Sequence, residues 1–150
     1  MKKPRPKVDL AAEEVDLPPY AREVGQALTA LMAELELAGH SLSLIFCAEP
    51  QIKSLKLRYW GEDQTTDVLS FPGYEPGDPF MPPHLGDIWI NVVAVADQAL
   101  AAGHTEVIEA CILAAHGTYH LLGHDHQTPE EWQGFEAVQR RMLELREQQV

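Results

Sequence analysis

The sequence predicts an α+β fold, in which a small mixed β-sheet is covered by helices within a single domain. Three short apolar segments rich in strand-forming residues lie before residue 92, and the chain after it has helical periodicity and helix-capping residues. A length of 150 residues is typical of one domain with a sizeable core. We predict that this domain covers 18–150, after a loose N-terminal lead-in over 1–17.

The first predicted helix follows Pro18 and Pro19 and ends at Gly39. Apolar residues in this segment recur at intervals of three and four, which places them on one face of an amphipathic helix. These residues are Val24, Leu28, Leu31, Met32 and Leu35.

The three predicted strands are short apolar segments bounded by turn residues. They cover residues 41–48, 67–73 and 87–91. Residues 50–60, between the first two strands, could form a short helix. A loop rich in proline and glycine separates the last two strands.

Three further helices are predicted after the last strand. Asn91 can cap a helix that ends at Gly103, and Thr105 can cap a second helix that ends at Gly123. The TPEE segment that starts at Thr128 has the features of a capping box with proline at the first helical position. It opens a last helix that is predicted to run to about residue 147.

The formal net charge of −12 argues against a nucleic-acid partner, because phosphate contacts need lysine and arginine. The basic residues nevertheless form two groups along the chain. The first group is Lys2, Lys3, Arg5 and Lys7, and the second is Lys53, Lys56 and Arg58. The first group is open to two interpretations, a disordered solubilising tail or an arm that contacts RNA.

Features of the chain favour a cytoplasmic protein without a membrane partner. No segment approaches the roughly 20 uninterrupted apolar residues that cross a bilayer, and no apolar stretch follows the basic N-terminus as in a secretory signal. Cys47 and Cys111 lie far apart and form no CxxC pair. We therefore favour two buried thiols in a reduced compartment over a disulfide.

The segment HGTYHLLGHDH (116–126) contains the residues of a metal site. His116 and His120 are four residues apart, so on a helix both imidazoles leave the same face. Gly123 lets the chain reverse, which can bring His126 back toward them. Three imidazoles arranged in this way can hold one zinc ion and leave a fourth position for water, whose pKa zinc lowers to roughly 7.

The alternative is that the three histidines are hydrogen-bonded separately in the core or on the surface. The surrounding helix argues against this, because residues 110–122 are nearly all apolar and a buried unpaired polar group costs about 1–3 kcal/mol. Asp125 could either orient a ligand imidazole or cap the turn. His124 is interpreted as a loop residue, since a fourth ligand would favour a structural metal.

The spacing HxxxHxxGxxH is shared with the metzincin peptidases, whose motif begins HExxH. The glutamate of that motif is the general base, and here its position is occupied by Gly117. A metzincin also needs a methionine turn below the zinc, whereas the only later methionine, Met142, lies in a predicted helix. A metallopeptidase is therefore a weak alternative.

Three segments together resemble the YbeY family. HGTYHLLGHDH is similar to its zinc motif, commonly written HGxLHLxGYDH, with Tyr119 and His124 in place of the leucine and tyrosine. TTDVLSFP (65–72) is similar to PTDVLSFP, and LGDIWIN (85–91) is similar to an LGDI-x-I segment. The resemblance covers roughly residues 50–127.

The resemblance implies an α+β fold with zinc held by the three histidines at the mouth of a cleft. It also implies a single-strand endoribonuclease that acts in 16S rRNA 3′-end maturation and in ribosome quality control. The implied partners are rRNA and the small ribosomal subunit, with ribosomal proteins or a ribosome-associated GTPase as further candidates.

One residue departs from the family pattern. Trp60, in YWGED (59–63), stands where the family has the arginine of YRGKD. An arginine there could bind a phosphate, whereas Trp60 could stack on an unpaired base or be a core aromatic. Arg58 is the candidate replacement and the one candidate catalytic side chain, although residues two apart on a helix project about 200° apart.

The expected mechanism has zinc activating water or polarising a phosphoryl oxygen of RNA, with attack by a ribose 2′-hydroxyl as an alternative. Asp67, Ser70 and Asp87 could line the cleft, although packing and turn capping explain the two aspartates equally well. The non-enzymatic alternative is a ribosome-assembly factor whose zinc is structural. A closed four-ligand site would support that alternative, and an open position would support the enzyme.

Overall fold

The computed structural model describes residues 4–75 and 77–149. Over these residues the chain forms a four-stranded sheet and five helices. The strands are β1 (Lys7–Glu13), β2 (Ser41–Cys47), β3 (Val68–Pro72) and β4 (His84–Asn91). The helices are α1 (Ala21–Glu34), α2 (Glu49–Trp60), α3 (Val92–Ala102), α4 (Glu106–Leu121) and α5 (Pro129–Gln148).

The sheet has the strand order β1-β2-β4-β3. β1 pairs in parallel with β2, and β2 pairs in parallel with β4. β3 runs antiparallel to β4, with Ser70 opposite Ile88. The predicted α+β fold with a small mixed sheet is therefore confirmed.

The expectation of a loose lead-in over 1–17 is wrong for residues 7–13, which form β1. β1 pairs with β2 along its whole length, from Lys7 opposite Ser41 to Glu13 opposite Cys47. It lies at the edge of the sheet and mixes charged residues with apolar ones, so its strand signal is weak. Its backbone hydrogen bonds and the packing of Val8 and Leu10 against the core hold it in place.

The main core lies between one face of the sheet and helices α1, α4 and α5. Alternate residues of the two central strands, including Leu44, Phe46, Ile88 and Ile90, are fully buried there. A smaller apolar cluster, of Cys47, Ile52 and Leu69, lies where α2 packs on the sheet. The sheet therefore holds α4 on one side and α2 near its edge, and the two helices flank β3.

The side chains predicted to cap helices do so. Asn91 accepts hydrogen bonds from the backbone N–H groups at the start of α3, and Thr105 and Thr128 accept one each at the starts of α4 and α5. Gly39 does not end the first helix, because α1 stops at Glu34 and the chain turns through Glu36 at a φ of 62°.

Both cysteines are buried free thiols, as predicted. Burial raises the pKa of Cys47 to about 11 and that of Cys111 to about 12, so both stay protonated near neutral pH. Within the described residues, no helix has the length and apolar character required to span a membrane.

Candidate metal centre

Helix α4 and the turn after it bring the three predicted histidines together. His116 and His120 occupy successive turns of α4 on the same face, and their Nε2 atoms lie 3.2 Å apart. Gly123 has a φ of 92°, which lets the chain reverse after the helix and return His126 to the same place. One ring nitrogen of each histidine lies within 4.8 Å of the other two.

This donor set fits a metal ion. Two nitrogens bound tetrahedrally to zinc at about 2.0–2.1 Å would lie roughly 3.3 Å apart, close to the separation of the His116 and His120 Nε2 atoms. Among the described residues, the group of potential ligands contains three histidines and no fourth side chain. The cluster could therefore hold one metal ion with a coordination position left over.

Hydrogen bonds set the orientation of two of these rings. His120 Nδ1–H donates to the backbone carbonyl of His124 at 3.0 Å, which leaves Nε2 as the free lone pair. The Gln139 amide nitrogen lies 3.2 Å from His116 Nδ1. A half-turn of that amide would place its oxygen to accept from Nδ1–H, which is the usual support for a metal-bound imidazole.

The environment keeps His116 and His120 neutral. Burial is the main cause that lowers the pKa of His116 to about 4, with the neighbouring His120 and His126 acting in the same direction. Burial likewise lowers the pKa of His120. Metal ligation requires an unprotonated imidazole, so both rings are in the metal-binding form at neutral pH.

Aromatic side chains of α5 pack against the three histidines. Phe135 is fully buried, and its ring centroid lies 4.7 Å, 4.8 Å and 5.2 Å from those of His116, His120 and His126. Trp132 stacks on His126 at 4.3 Å. The sequence does not identify these residues, because nothing in the pattern of an amphipathic helix indicates which apolar side chains face a metal site.

The histidines line an open cleft of about 610 Å³ between α2, β3 and the end of α4. Asp67 and Ser70 line it, as predicted, and the Ser70 hydroxyl also donates to the Gly117 carbonyl at 2.8 Å. Asp87 does not line it, since its carboxylate lies 3.3 Å from His84 Nε2 instead. The remaining polar residues of the cleft are Lys56, Glu62, Thr66 and Asp125.

Arg58 lies outside this cleft. It borders a separate depression beside Trp89, and its guanidinium sits over the Tyr59 ring at 5.4 Å. Trp60 does line the cleft, because residues two apart on α2 project to different sides of the helix. The catalytic role predicted for Arg58 therefore has no support in the geometry. Trp60 is 47% exposed and is not a core aromatic.

His124 and Asp125, in the turn before His126, take part in hydrogen bonds that involve backbone groups of the turn. His124 stacks its ring on Tyr119 at 3.8 Å, away from the ligand group, and contributes its carbonyl to His120. The Asp125 carboxylate accepts a hydrogen bond from the backbone N–H of His126 at 2.8 Å. Of the two roles considered for Asp125, the structure shows the turn cap.

The position after the first histidine has no room for a side chain. A Cβ atom on Gly117 would lie 2.7 Å from Cγ2 of Ile88 and 3.1 Å from the Ser70 hydroxyl. Real Cβ atoms do not approach a neighbour so closely, and the glutamate of a metzincin would be directed into the sheet. The packing of α4 therefore excludes the peptidase general base.

Comparison with known proteins agrees with this geometry. A family model described as endoribonuclease YbeY matches residues 8–146. The curated protein named endoribonuclease YbeY from Thermus thermophilus is 53% identical over 120 residues, which cover 80% of this chain and 86% of that protein. Its namesake from Deinococcus radiodurans is 45% identical over 73% of this chain and 77% of its own length.

A solved structure has the same fold. The solution structure of TM1509 from Thermotoga maritima matches 90% of this chain and 88% of its own with a TM-score of 0.63. At 22% identity this likeness concerns the fold alone. The family model and the two bacterial relatives go further, and they show that this chain belongs to the YbeY family, whose model carries the description endoribonuclease.

Proposed function

We propose that this protein is a zinc-dependent endoribonuclease that cleaves single-stranded RNA. The observation that carries the proposal is the convergence of three imidazoles in an open cleft, with no fourth ligand among the described residues. Structural zinc sites are almost always closed by four protein ligands, whereas catalytic sites keep one position open. The name of the matching family supplies the class of substrate.

A bound zinc would supply Lewis acidity toward a phosphoryl oxygen and would lower the pKa of water. The side chains of this chain would hold the ion and separate it from the core. His116, His120 and His126 provide the ligands, Phe135 shields them from the core side, and Gly117 leaves the motif without a general base. A nucleophile that needs no base from the motif is therefore required.

The two possible nucleophiles leave different RNA ends. Attack by the ribose 2′-hydroxyl produces a 2′,3′-cyclic phosphate, whereas attack by water leaves a linear phosphate and does not need the 2′-hydroxyl. Mass spectrometry of the products from a short RNA separates these routes, and a substrate with one 2′-deoxy residue at the cleaved position provides the control. Cleavage of that substrate would contradict the 2′-hydroxyl route.

We propose rRNA as the substrate, with 16S rRNA 3′-end maturation and ribosome quality control as the cellular roles. The names of the bacterial relatives support an endoribonuclease, and the resemblance of the three sequence motifs to the YbeY family is the basis for choosing rRNA. The small ribosomal subunit is the proposed partner, together with ribosomal proteins or a ribosome-associated GTPase. We propose that the protein acts in the cytoplasm.

The direct test is cleavage of a 16S rRNA 3′-end precursor by zinc-loaded protein. His116→Ala removes one ligand, and His84→Ala is the matched control because His84 is an exposed histidine outside the cleft. We expect cleavage by the wild type and the control and a loss of at least a hundredfold in His116→Ala. Equal cleavage by all three proteins would overturn the proposal.

The alternative is a ribosome-assembly factor with a structural zinc. The three carboxylates in the cleft (Glu62, Asp67 and Asp125) favour it, because they repel an anionic substrate. Under this alternative the wild type would bind the small subunit but leave the precursor intact, and removing zinc would unfold the protein.

A further inference from the structure

We infer that Lys56 is the side chain of this chain that binds a substrate phosphate beside the metal centre, and that Glu62 holds it until the substrate arrives. This inference rests on the proposed ribonuclease function. In the sequence alone, Lys56 is distinguished only as a member of a basic group.

The position of Lys56 on α2 places it at the cleft. Lys56 and Trp60 are four residues apart, so they project from the same face of the helix, and both line the cleft that contains His116 and His120. Arg58 lies between them in sequence but borders a different depression. The cation that the cleft offers from α2 is therefore the lysine one turn before Trp60.

Lys56 brings a positive charge to a cleft that contains three carboxylates. Lys56 is the only lysine or arginine among the described residues that line the cleft, where Glu62, Asp67 and Asp125 are the carboxylates. A single-stranded RNA carries one negative charge per phosphate, and carboxylates around the metal repel it. Lys56 is the protein group that can offset this repulsion at short range.

Lys56 forms an ion pair with Glu62. Lys56 Nζ lies 3.4 Å from a Glu62 carboxylate oxygen, and the lysine side chain is only 21% exposed while the glutamate is 52% exposed. The lysine is thus held against the cleft wall by a partner that faces water. A pair of this kind is worth little, so a phosphate that also approaches the metal can displace Glu62.

Trp60 gives the site its second element. Its ring meets Phe71 edge-on at 5.4 Å, and the residue is 47% exposed and lines the cleft. Stacking of a base on an exposed aromatic ring is favourable for any base sequence. Lys56 and Trp60 together would hold one phosphate and one unpaired base, which selects a single strand over a duplex.

The test is equilibrium binding of a short, 2′-O-methylated phosphorothioate single strand, which resists cleavage, to zinc-loaded protein at several salt concentrations. Lys56→Gln is compared with Lys53→Gln, its matched control. Lys53 lies on the same helix in a similar pair, 3.8 Å from Asp63, but outside the cleft. Thermal melting confirms that the variants fold.

We expect Lys56→Gln to weaken binding roughly tenfold and to reduce the slope of log affinity against log salt by about 0.7, the value for one phosphate contact to a single strand. Lys53→Gln should change neither quantity. Glu62→Gln should strengthen binding by about two- to fivefold, because it frees Lys56 and removes a repelling charge. Lys56→Arg should restore most of the affinity.

Equal losses in Lys56→Gln and Lys53→Gln would overturn the inference, since they would indicate general surface charge. Unchanged binding in Lys56→Gln, or no binding by the wild type, would also overturn it. Cleavage of a normal RNA by the same proteins is scored separately. If the wild type cleaves RNA and Lys56→Gln binds the strand as tightly as the wild type, only the role of Lys56 is refuted. If the wild type binds the strand and cleaves no RNA, only the proposed nuclease activity is refuted.

Discussion

Gly117 packs against Ile88 so closely that a Cβ atom on the glycine would lie 2.7 Å from the isoleucine Cγ2. This contact sets the distance between α4 and β4, and the same helix positions His116 and His120. The depth at which the ligands enter the cleft therefore depends on the absence of a side chain at position 117.

Gly117→Ala should destabilise the protein by about 1–3 kcal/mol, because the added methyl group overpacks the interface between α4 and the sheet. Urea unfolding measures this change. The matched control is Gly25→Ala in α1, whose Cβ would meet only the flexible Leu10 side chain, at 3.3 Å. The control should be close to neutral because alanine also favours the helix. Equal stability of both variants would contradict this account of the interface.

The metal-free protein should lose stability as the pH falls from about 6.5 toward 4. His116 has a folded-state pKa lowered to about 4 by burial, so the unfolded chain takes up a proton in this range and the folded chain does not. The stability that depends on neutral His116 is therefore complete above pH 6.5 and decreases below it.

Urea midpoints measured between pH 7.5 and 4.5 in the presence of a chelator test this prediction. His116→Gln should show a shallower decrease, because the variant lacks the group that titrates. An identical pH dependence in the two proteins would show that burial does not perturb His116.

Gln139→Ala should weaken zinc binding by about tenfold while leaving the fold intact. The amide lies 3.2 Å from His116 Nδ1, and loss of such a partner frees the imidazole to rotate. Competition with a zinc chelator measures the affinity, and Gln133→Ala, an exposed glutamine on the same helix, is the control. No difference between the two variants would argue that Gln139 does not orient the ligand.

Neither Cys47 nor Cys111 should react with iodoacetamide in the native state. Both thiols are buried, and burial raises their pKa values to about 11 and about 12, so little thiolate is present at pH 8. Mass spectrometry should detect two alkylated cysteines only after denaturation. Rapid labelling of the native protein at either position would contradict the packing described above.

Local signals predicted most of the fold. Asn91, Thr105 and Thr128 are residues whose side chains can satisfy free backbone N–H groups, so the starts of α3, α4 and α5 could be located from the sequence alone. β1 was missed because an edge strand is held by backbone pairing with β2, a contact between segments more than 30 residues apart that leaves little trace in its own composition.

The candidate site likewise contains residues that the sequence identifies and residues that only the packing of helices brings close. His116 and His120 could be paired from the sequence because a spacing of four residues fixes their common face on a helix. The proximity of Gln139, Phe135 and Lys56 to the cluster depends on how α5 and α2 pack, and no spacing within one helix encodes it. The same limit applies to Arg58, whose predicted role required an orientation that α2 does not allow.

The proposed function depends on zinc held by His116, His120 and His126. This dependence can be tested by titrating the metal-free protein with zinc while bound metal and the rate of cleavage of a single-stranded RNA are followed together. We predict that activity rises in proportion to bound zinc and saturates at one equivalent, and that His120→Ala neither binds the ion tightly nor cleaves. Full cleavage by the metal-free protein, or one tightly bound zinc without any cleavage, would contradict the proposed function.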